Sequence, residues 1–217
     1  MLMRKFICFV FLITGLSSFA QDQNYQIGIK IGPTYSNVRT KTEGTSTSIK
    51  RDGASVNFLV GAFVDIPFRE NYFFHTGLNY VAKGTKITVS DNTYLGGTPF
   101  NEEYDHESIQ IPLLLKLYTN EILLDTKLFF NFGLVPEILL TSANGAPSNI
   151  VVEEFNTFDL SGNFGGGMEY AIGVNTRLFA SLNYYLGFLN QVKNQSMAFD
   201  EFSLKSNILS LEFGLKF

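Results

Sequence analysis

The sequence predicts an all-β fold: an eight-stranded antiparallel transmembrane barrel of the up-and-down type, with short periplasmic turns and long external loops. Three observations predict it. Eight stretches alternate apolar and polar residues with period two, charged residues are confined to one of the two faces, and the connections alternate between short and long.

Residues 1–20 stand apart from this pattern. Arg4 and Lys5 form a basic start, Phe6 to Ile13 a short apolar stretch, and Ser18-Phe19-Ala20 a small-x-small cleavage motif, so they read as a signal peptide removed on export. The barrel domain then comprises residues 21–217. Cys8, the only cysteine, lies in the leader, which leaves the mature chain without thiol chemistry. No segment approaches the ~18–20 uninterrupted apolar residues of a membrane helix. Without Arg4 and Lys5 the chain holds 14 basic and 20 acidic residues and no basic run, a poor match for nucleic acid.

The first strand sets Tyr25, Ile27, Ile29, Ile31 and Tyr35 against Gly28, Lys30, Gly32 and Thr34. The second opposes Val56, Phe58, Val60, Ala62, Val64 and Ile66 to Asn57, Gly61, Phe63 and Asp65. Tyr72, Phe74, Leu78 and Tyr80 oppose His75, Gly77, Asn79 and Lys83 in the third; Ile109, Ile111, Leu113, Leu115 and Leu117 oppose Gln110 and Lys116 in the fourth. The fifth pairs Leu128, Phe130, Phe132 and Leu134 with Asn131, Gly133 and Glu137. In the sixth, Phe158, Leu160, Phe164, Met168 and Tyr170 face away from Asp159, Ser161, Asn163, Gly165, Gly167 and Glu169. Leu178, Ala180, Leu182, Tyr184 and Leu186 alternate with Arg177, Ser181, Asn183 and Gly187 in the seventh. The eighth ends the chain with Leu209, Leu211, Phe213, Leu215 and Phe217 on one face and Ser210, Glu212, Gly214 and Lys216 on the other.

Which face looks outward is decided by volume. The interior of an eight-stranded barrel is only just filled by side chains, so the glycine-rich polar face fits inside and the Phe, Leu, Ile and Tyr set would overfill it. Tyr25 and Tyr35 lie ten steps apart, which at ~3.3 Å per residue and a ~45° tilt is about 23 Å, close to an apolar band of ~25 Å. A soluble lipocalin-like barrel would need the reverse orientation. The short links, Pro67 to Asn71, Thr119 to Thr126 and Gly173 to Thr176, are then periplasmic; the long ones, Asn37 to Ala54, Lys86 to Glu107, Leu139 to Asn156 and Leu189 to Ser206, are external.

The leader, the alternating segments, the stretch Gln110-Ile111-Pro112-Leu113-Leu114-Leu115-Lys116-Leu117 and the terminal Leu211-Glu212-Phe213-Gly214-Leu215-Lys216-Phe217 resemble the PorT-like outer-membrane β-barrel family of Bacteroidota. The resemblance covers the mature chain and rests on strand signatures. It implies a cell outer-membrane location, and a terminal aromatic strand similar to the signal read by the barrel-insertion machinery. Some members of that family serve protein secretion.

Candidate site residues are the charges of the inner face: Lys30, Lys83, Lys116, Lys127, Arg177 and Lys216 with Asp65, Glu137, Asp159, Glu169 and Glu212, joined by His75. On the lipid face each would cost roughly 2–4 kcal/mol at mid-bilayer. They are expected to form a balanced, structural ion network, with a gated pore as the alternative. Lys30 with Glu212 and Asp65 with His75 are the expected neighbours. His106 lies in Glu102-Glu103-Tyr104-Asp105-His106-Glu107, read as an external loop whose oxygens could hold a divalent cation, though such a run is more often simply solvated. Gly162-Asn163-Phe164-Gly165-Gly166-Gly167 looks like a phosphate loop but sits inside a strand, which argues against phosphate.

In the long loops, Lys41, Lys50 and Arg51, then Ala143 to Ser148 with Val151, Val152, Glu153 and Glu154, and finally Met197, Phe199 and Phe202 are candidates for a protein contact or a self-packed lid. No catalytic residue, cofactor or metal ligand is assigned. The expected partners are outer-membrane lipid, the insertion machinery and possible proteins at the external loops, for a monomer with a structural or binding role in envelope transport or secretion. A narrow pore for ions or small solutes is the alternative, and an outer-membrane hydrolase or acyltransferase comes after it.

Overall fold

The computed structural model describes residues 25–44, 46–91, 98–144, 151–196 and 199–217. The proposed signal peptide, Met197 and the stretch from Gly145 to Ser148 lie outside the described residues. Strand segments in chain order are β1 (Gln26–Thr42), β2 (Thr47–Arg51), β3 (Ser55–Arg69), β4 (Tyr72–Asp91), β5 (Phe100–Gln110), β6 (Leu113–Leu123), β7 (Thr126–Asn144), β8 (Val152–Phe155), β9 (Phe158–Ala171), β10 (Arg177–Gly187), β11 (Val192–Gln195) and β12 (Phe202–Lys216).

Nine of these segments form a closed antiparallel ring of eight strands, with β5 and β6 acting as one strand. The pairing runs β1, β3, β4, β5/β6, β7, β9, β10, β12 and back to β1. Pro112 separates β5 from β6 because it has no N–H to give the ladder. The register against β4 nevertheless continues unshifted, from Asn79 opposite Gln110 to Thr76 opposite Leu113. Closure is completed at the chain ends, where Ile27 and Phe217 exchange backbone hydrogen bonds of 3.1 and 2.8 Å. In a bilayer no water can satisfy a free strand edge, so this last pairing is as necessary as any other.

At one end the hairpins are tight. Asn71 and Asp125 take φ of 62° and 59°, a left-handed conformation their short polar side chains tolerate, and each reverses the chain between adjacent strands. The opposite end is more ordered than polar loops would be. The predicted external loops contain the upper parts of β1, β4, β5, β7 and β12, the added strand β2 on β4, and a separate two-stranded sheet of β8 and β11. The expected sites of protein contact change accordingly. Phe199, Phe202, Val151 and Val152 are buried together with Val38, Ile49, Ile87, Val89, Tyr104, Val192 and Leu204 in an apolar core above the membrane.

The barrel is therefore built in two storeys, and hydropathy inverts between them on the same strands. Below, Phe130 and Leu182 are each 54% exposed and Phe213 47%, while their neighbours Asn131, Asn183 and Glu212 are 8%, 2% and 2% exposed. Above, β1 turns Arg39 and Lys41 outward and Val38 inward, and β4 buries Ile87 and Val89. On β1 and β4 side-chain parity does not change between the storeys, only the solvent outside does; β7 is different, because its pairing with β5 shifts by one residue between Leu139 and Thr141.

A bulky outward cation should separate the storeys. Leu182→Arg is expected to lower stability by ~2–4 kcal/mol in phospholipid vesicles, whereas Ser48→Arg, exposed on the upper storey, stays within about 0.5 kcal/mol. Denaturant titration of the refolded variants measures both.

Candidate functional site: the filled lumen

The inward faces converge on a polar and ionic interior in three tiers. Nearest the tight turns, Asp65 is fully buried and receives Lys116 Nζ at 2.8 Å on one oxygen and His75 Nδ1 at 2.6 Å on the other. Lys216 lies 3.9 Å from Asp65 and 2.5 Å from Glu169, which Arg177 reaches at 3.2 Å. Tyr118 ties the two carboxylates together, donating to Glu169 at 2.6 Å. These groups come from strands far apart in sequence, so the tier links β3, β4, β6, β9, β10 and β12.

Rings roof this tier. Phe63, Phe129 and Phe179 pack on one another, and Lys116 Nζ stands 4.3 Å from the Phe129 centroid. Such a cation–π contact lets an amine be buried with fewer hydrogen bonds than it could make in water. Each ring lies over a glycine of a neighbouring strand: a Cβ would meet Phe63 Cζ at 2.3 Å from Gly28, Phe129 Cζ at 2.7 Å from Gly167, and Phe179 Cε1 at 2.5 Å from Gly214. The glycines on the inner face are the space into which these aromatics fit.

In the middle tier Lys30 Nζ lies 2.9 Å from Glu212, whose other oxygen accepts from Tyr185 at 2.9 Å and Ser210 at 2.7 Å. Toward the external side Lys83 pairs with Glu137, which also accepts from Gln110 at 2.9 Å. Asp159 stands opposite Glu137 in the ladder and accepts from Gln191 at 3.2 Å. Lys127 is half-buried at the lower rim, in register with Glu121 and Glu169, and no ion pair is described for it. Tyr118, Tyr185 and Gln191 are the members that sequence reasoning missed, while Gln110 was placed on the inner face without being counted in the network. The inward parity of Tyr185, one step from Tyr184, was the available signal.

His106 does not sit in a solvated loop. It lies on β5, where alternation sends Glu102, Tyr104 and His106 inward and Glu103, Asp105 and Glu107 outward, so the six-residue run divides between two sides of the wall. No group of three acids or histidines able to hold a metal occurs among the described residues. Glu102 and Tyr104 instead bond each other and accept from the amides of Val151 and Val152, at 3.2 Å each, which fixes the start of β8 to the wall. His106 packs edge-on to Phe155, its centroid 4.5 Å away, beside a cavity of about 10 Å³ lined also by Lys83, Glu137, Asp159 and Gln191. Burial, with help from the Lys83 charge, holds the imidazole down at about 3, so it is neutral in the fold. The glycine run on β9 is likewise part of the wall, with Gly165 approached by the amides of Asn183 and Asn131.

Two consequences can be measured. Asp65→Asn strips Lys116 of its only described carboxylate partner and should cost ~3–5 kcal/mol in denaturant, a loss partly recovered when Lys116→Met is added. An unfolded histidine titrates near 6.5, so His106 withdraws stability as pH falls below that value toward 3, about 2–3 kcal/mol by pH 4.5. His106→Asn should flatten that part of the pH–stability curve.

Comparison with known proteins follows the same outline. A family model described as the outer membrane protein beta-barrel domain matches residues 19–193. Among solved structures, OprG of Pseudomonas aeruginosa aligns over 90% of this chain and 97% of its own at 12% identity, with a TM-score of 0.53. Neisserial surface protein A aligns over 88% and 95% at 11% identity, with a TM-score of 0.47. Ail of Yersinia pestis aligns over 89% and 99% at 14% identity, with a TM-score of 0.38. No curated protein sequence matches the chain. The ring of strands, its lipid-facing belt and the family match together establish that the chain belongs to the outer membrane protein beta-barrel domain family and resides in the cell outer membrane.

Proposed function

We propose that this protein is a non-catalytic, monomeric barrel with a sealed lumen that serves the envelope as a structural or binding element, accessory to transport or protein secretion. The observation that carries this reading is the cross-linked interior: Asp65, Glu169, Glu212 and Glu137 each hold a lysine from another strand, and aromatic rings fill the space between the tiers. Above them the apolar core of the upper storey adds a second closure. A water file would need several of these contacts broken at once, and breaking one partner of a buried pair costs ~3–5 kcal/mol.

Burial of both histidines supports the absence of hydrolytic chemistry. His75 is bonded to Asp65 within the lumen and His106 faces Phe155, so neither stands at the lipid face or the outer rim, where an envelope lipase or acyltransferase would need it. On this reading residues 1–20 direct export, the aromatic terminal strand is presented to the insertion machinery, and proteins meet the upper storey. The stretch Gln110 to Leu117 and the terminal strand favour the PorT-like, Bacteroidota branch of the family.

In planar bilayers the purified protein is expected to give no steady conductance. Discrete, reproducible openings would replace this reading with a narrow pore for ions or small solutes.

A further inference from the structure

The seam between β1 and β12 closes the barrel, and just above its apolar belt two cations face each other. Arg39 and Lys205 are direct cross-strand partners. They share the outward parity of Tyr35 and Leu209, which are 50% and 40% exposed at the upper edge of the belt. Like charges directly opposite in a ladder destabilise it. Nothing described on the protein offsets this: no ion pair is described for either residue, and Arg39 donates only to the carbonyl of Gly187. Lys41, two residues further along, lies 3.8 Å from Glu43 at the far tip, both well exposed.

Height identifies what supplies the missing anion. Arg39 is four residues beyond Tyr35, which at ~3.3 Å per residue and a ~45° tilt is about 9 Å above the last ring of the belt. The headgroup layer on each side of a hydrocarbon core is about 5–8 Å thick, so the two backbone positions stand just beyond it, and long Arg and Lys side chains can return their charges to headgroup level. Lipid phosphates lie at that level, and a guanidinium with one N–H tethered to Gly187 keeps its remaining donors for a phosphate. Phe188, 40% exposed next to Gly187, carries the apolar wall upward beside it. Across the barrel the outward row at similar height is Glu107, Asp105 and Glu103, three acids against the single cation Lys86, which lies 2.7 Å from Glu103, so that wall is net negative and disfavours phosphate. We infer that Arg39 and Lys205 form a one-sided binding site for the phosphate of an anionic glycolipid of the outer leaflet.

The test uses the full mature protein refolded in phosphatidylcholine vesicles containing a minor fraction of bis-phosphorylated lipid A, with retained lipid read by native mass spectrometry. Wild type should keep lipid A. Arg39→Gln with Lys205→Gln should weaken retention about 30-fold, at about fivefold per charge, while Asp105→Asn with Glu107→Gln on the opposite wall does not weaken it. A second variant separates binding from mere structure. Lys205→Glu replaces repulsion with an ion pair, so in pure phosphatidylcholine it should raise the denaturation midpoint, yet it should abolish lipid A retention. Unchanged retention in the double glutamine variant overturns the proposal. So does equal retention of dephosphorylated lipid A, or a preference for free inorganic phosphate or a soluble sulfated polysaccharide. Sealed or conducting, the barrel gives the same readout, so failure here is distinct from failure of the proposed function.

Discussion

Everything in this molecule follows from placing a polypeptide where no water can reach its backbone. In hydrocarbon each unpaired N–H or C=O costs several kcal/mol, so the sheet must close on itself, and closure by Ile27 with Phe217 fixes the ring. Closure in turn fixes the inside. Alternation sends half the side chains into a cylinder too narrow for bulk solvent, where any charge must find a protein partner. That is why Lys116 and Asp65, fifty-one positions apart in the chain, end 2.8 Å from each other. The glycines belong to the same constraint, since Phe63, Phe129 and Phe179 occupy volume that any other residue opposite them would deny.

The two storeys solve different problems with one backbone. In the membrane the exterior is oil, so ionic groups go inward and bond to one another; above it the exterior is water, so Val38, Ile87, Tyr104 and Leu204 go inward and form an ordinary hydrophobic core. His106 sits close to the join, buried against Phe155 yet near Lys83 and Glu137. Burial keeps it neutral beside that ion pair.

Much of the lower storey was legible because lipid enforces a strict rule. Period-two runs such as Leu178 to Leu186 and Leu209 to Phe217 fixed both strands and facing, and the pair Lys30–Glu212 was within reach of a simple argument about closure. The upper storey was not legible in that way. Its strands keep the parity but reverse the hydropathy, so Asn37 to Thr42, Thr47 to Arg51 and Phe100 to Glu107 read as polar loops although they are ladder-paired. The acidic run containing His106 was misread for this reason: with the strand assigned, Glu102 and Tyr104 turn inward and the metal reading loses half its ligands. Cross-lumen partners of Tyr118 and Gln191 depend on the barrel's curvature, which no local pattern records.

The switch in outward hydropathy occurs at one level around the wall, between Tyr35 and Arg39 on β1 and between Ile109 and Glu107 on β5. Sliding the cylinder up would hydrate Phe and Leu; sliding it down would drag guanidinium and carboxylate groups into oil. The chain thus measures its own depth of immersion, and a host membrane of different thickness would have to stretch or thin around it because the rigid, filled rod has little means to yield.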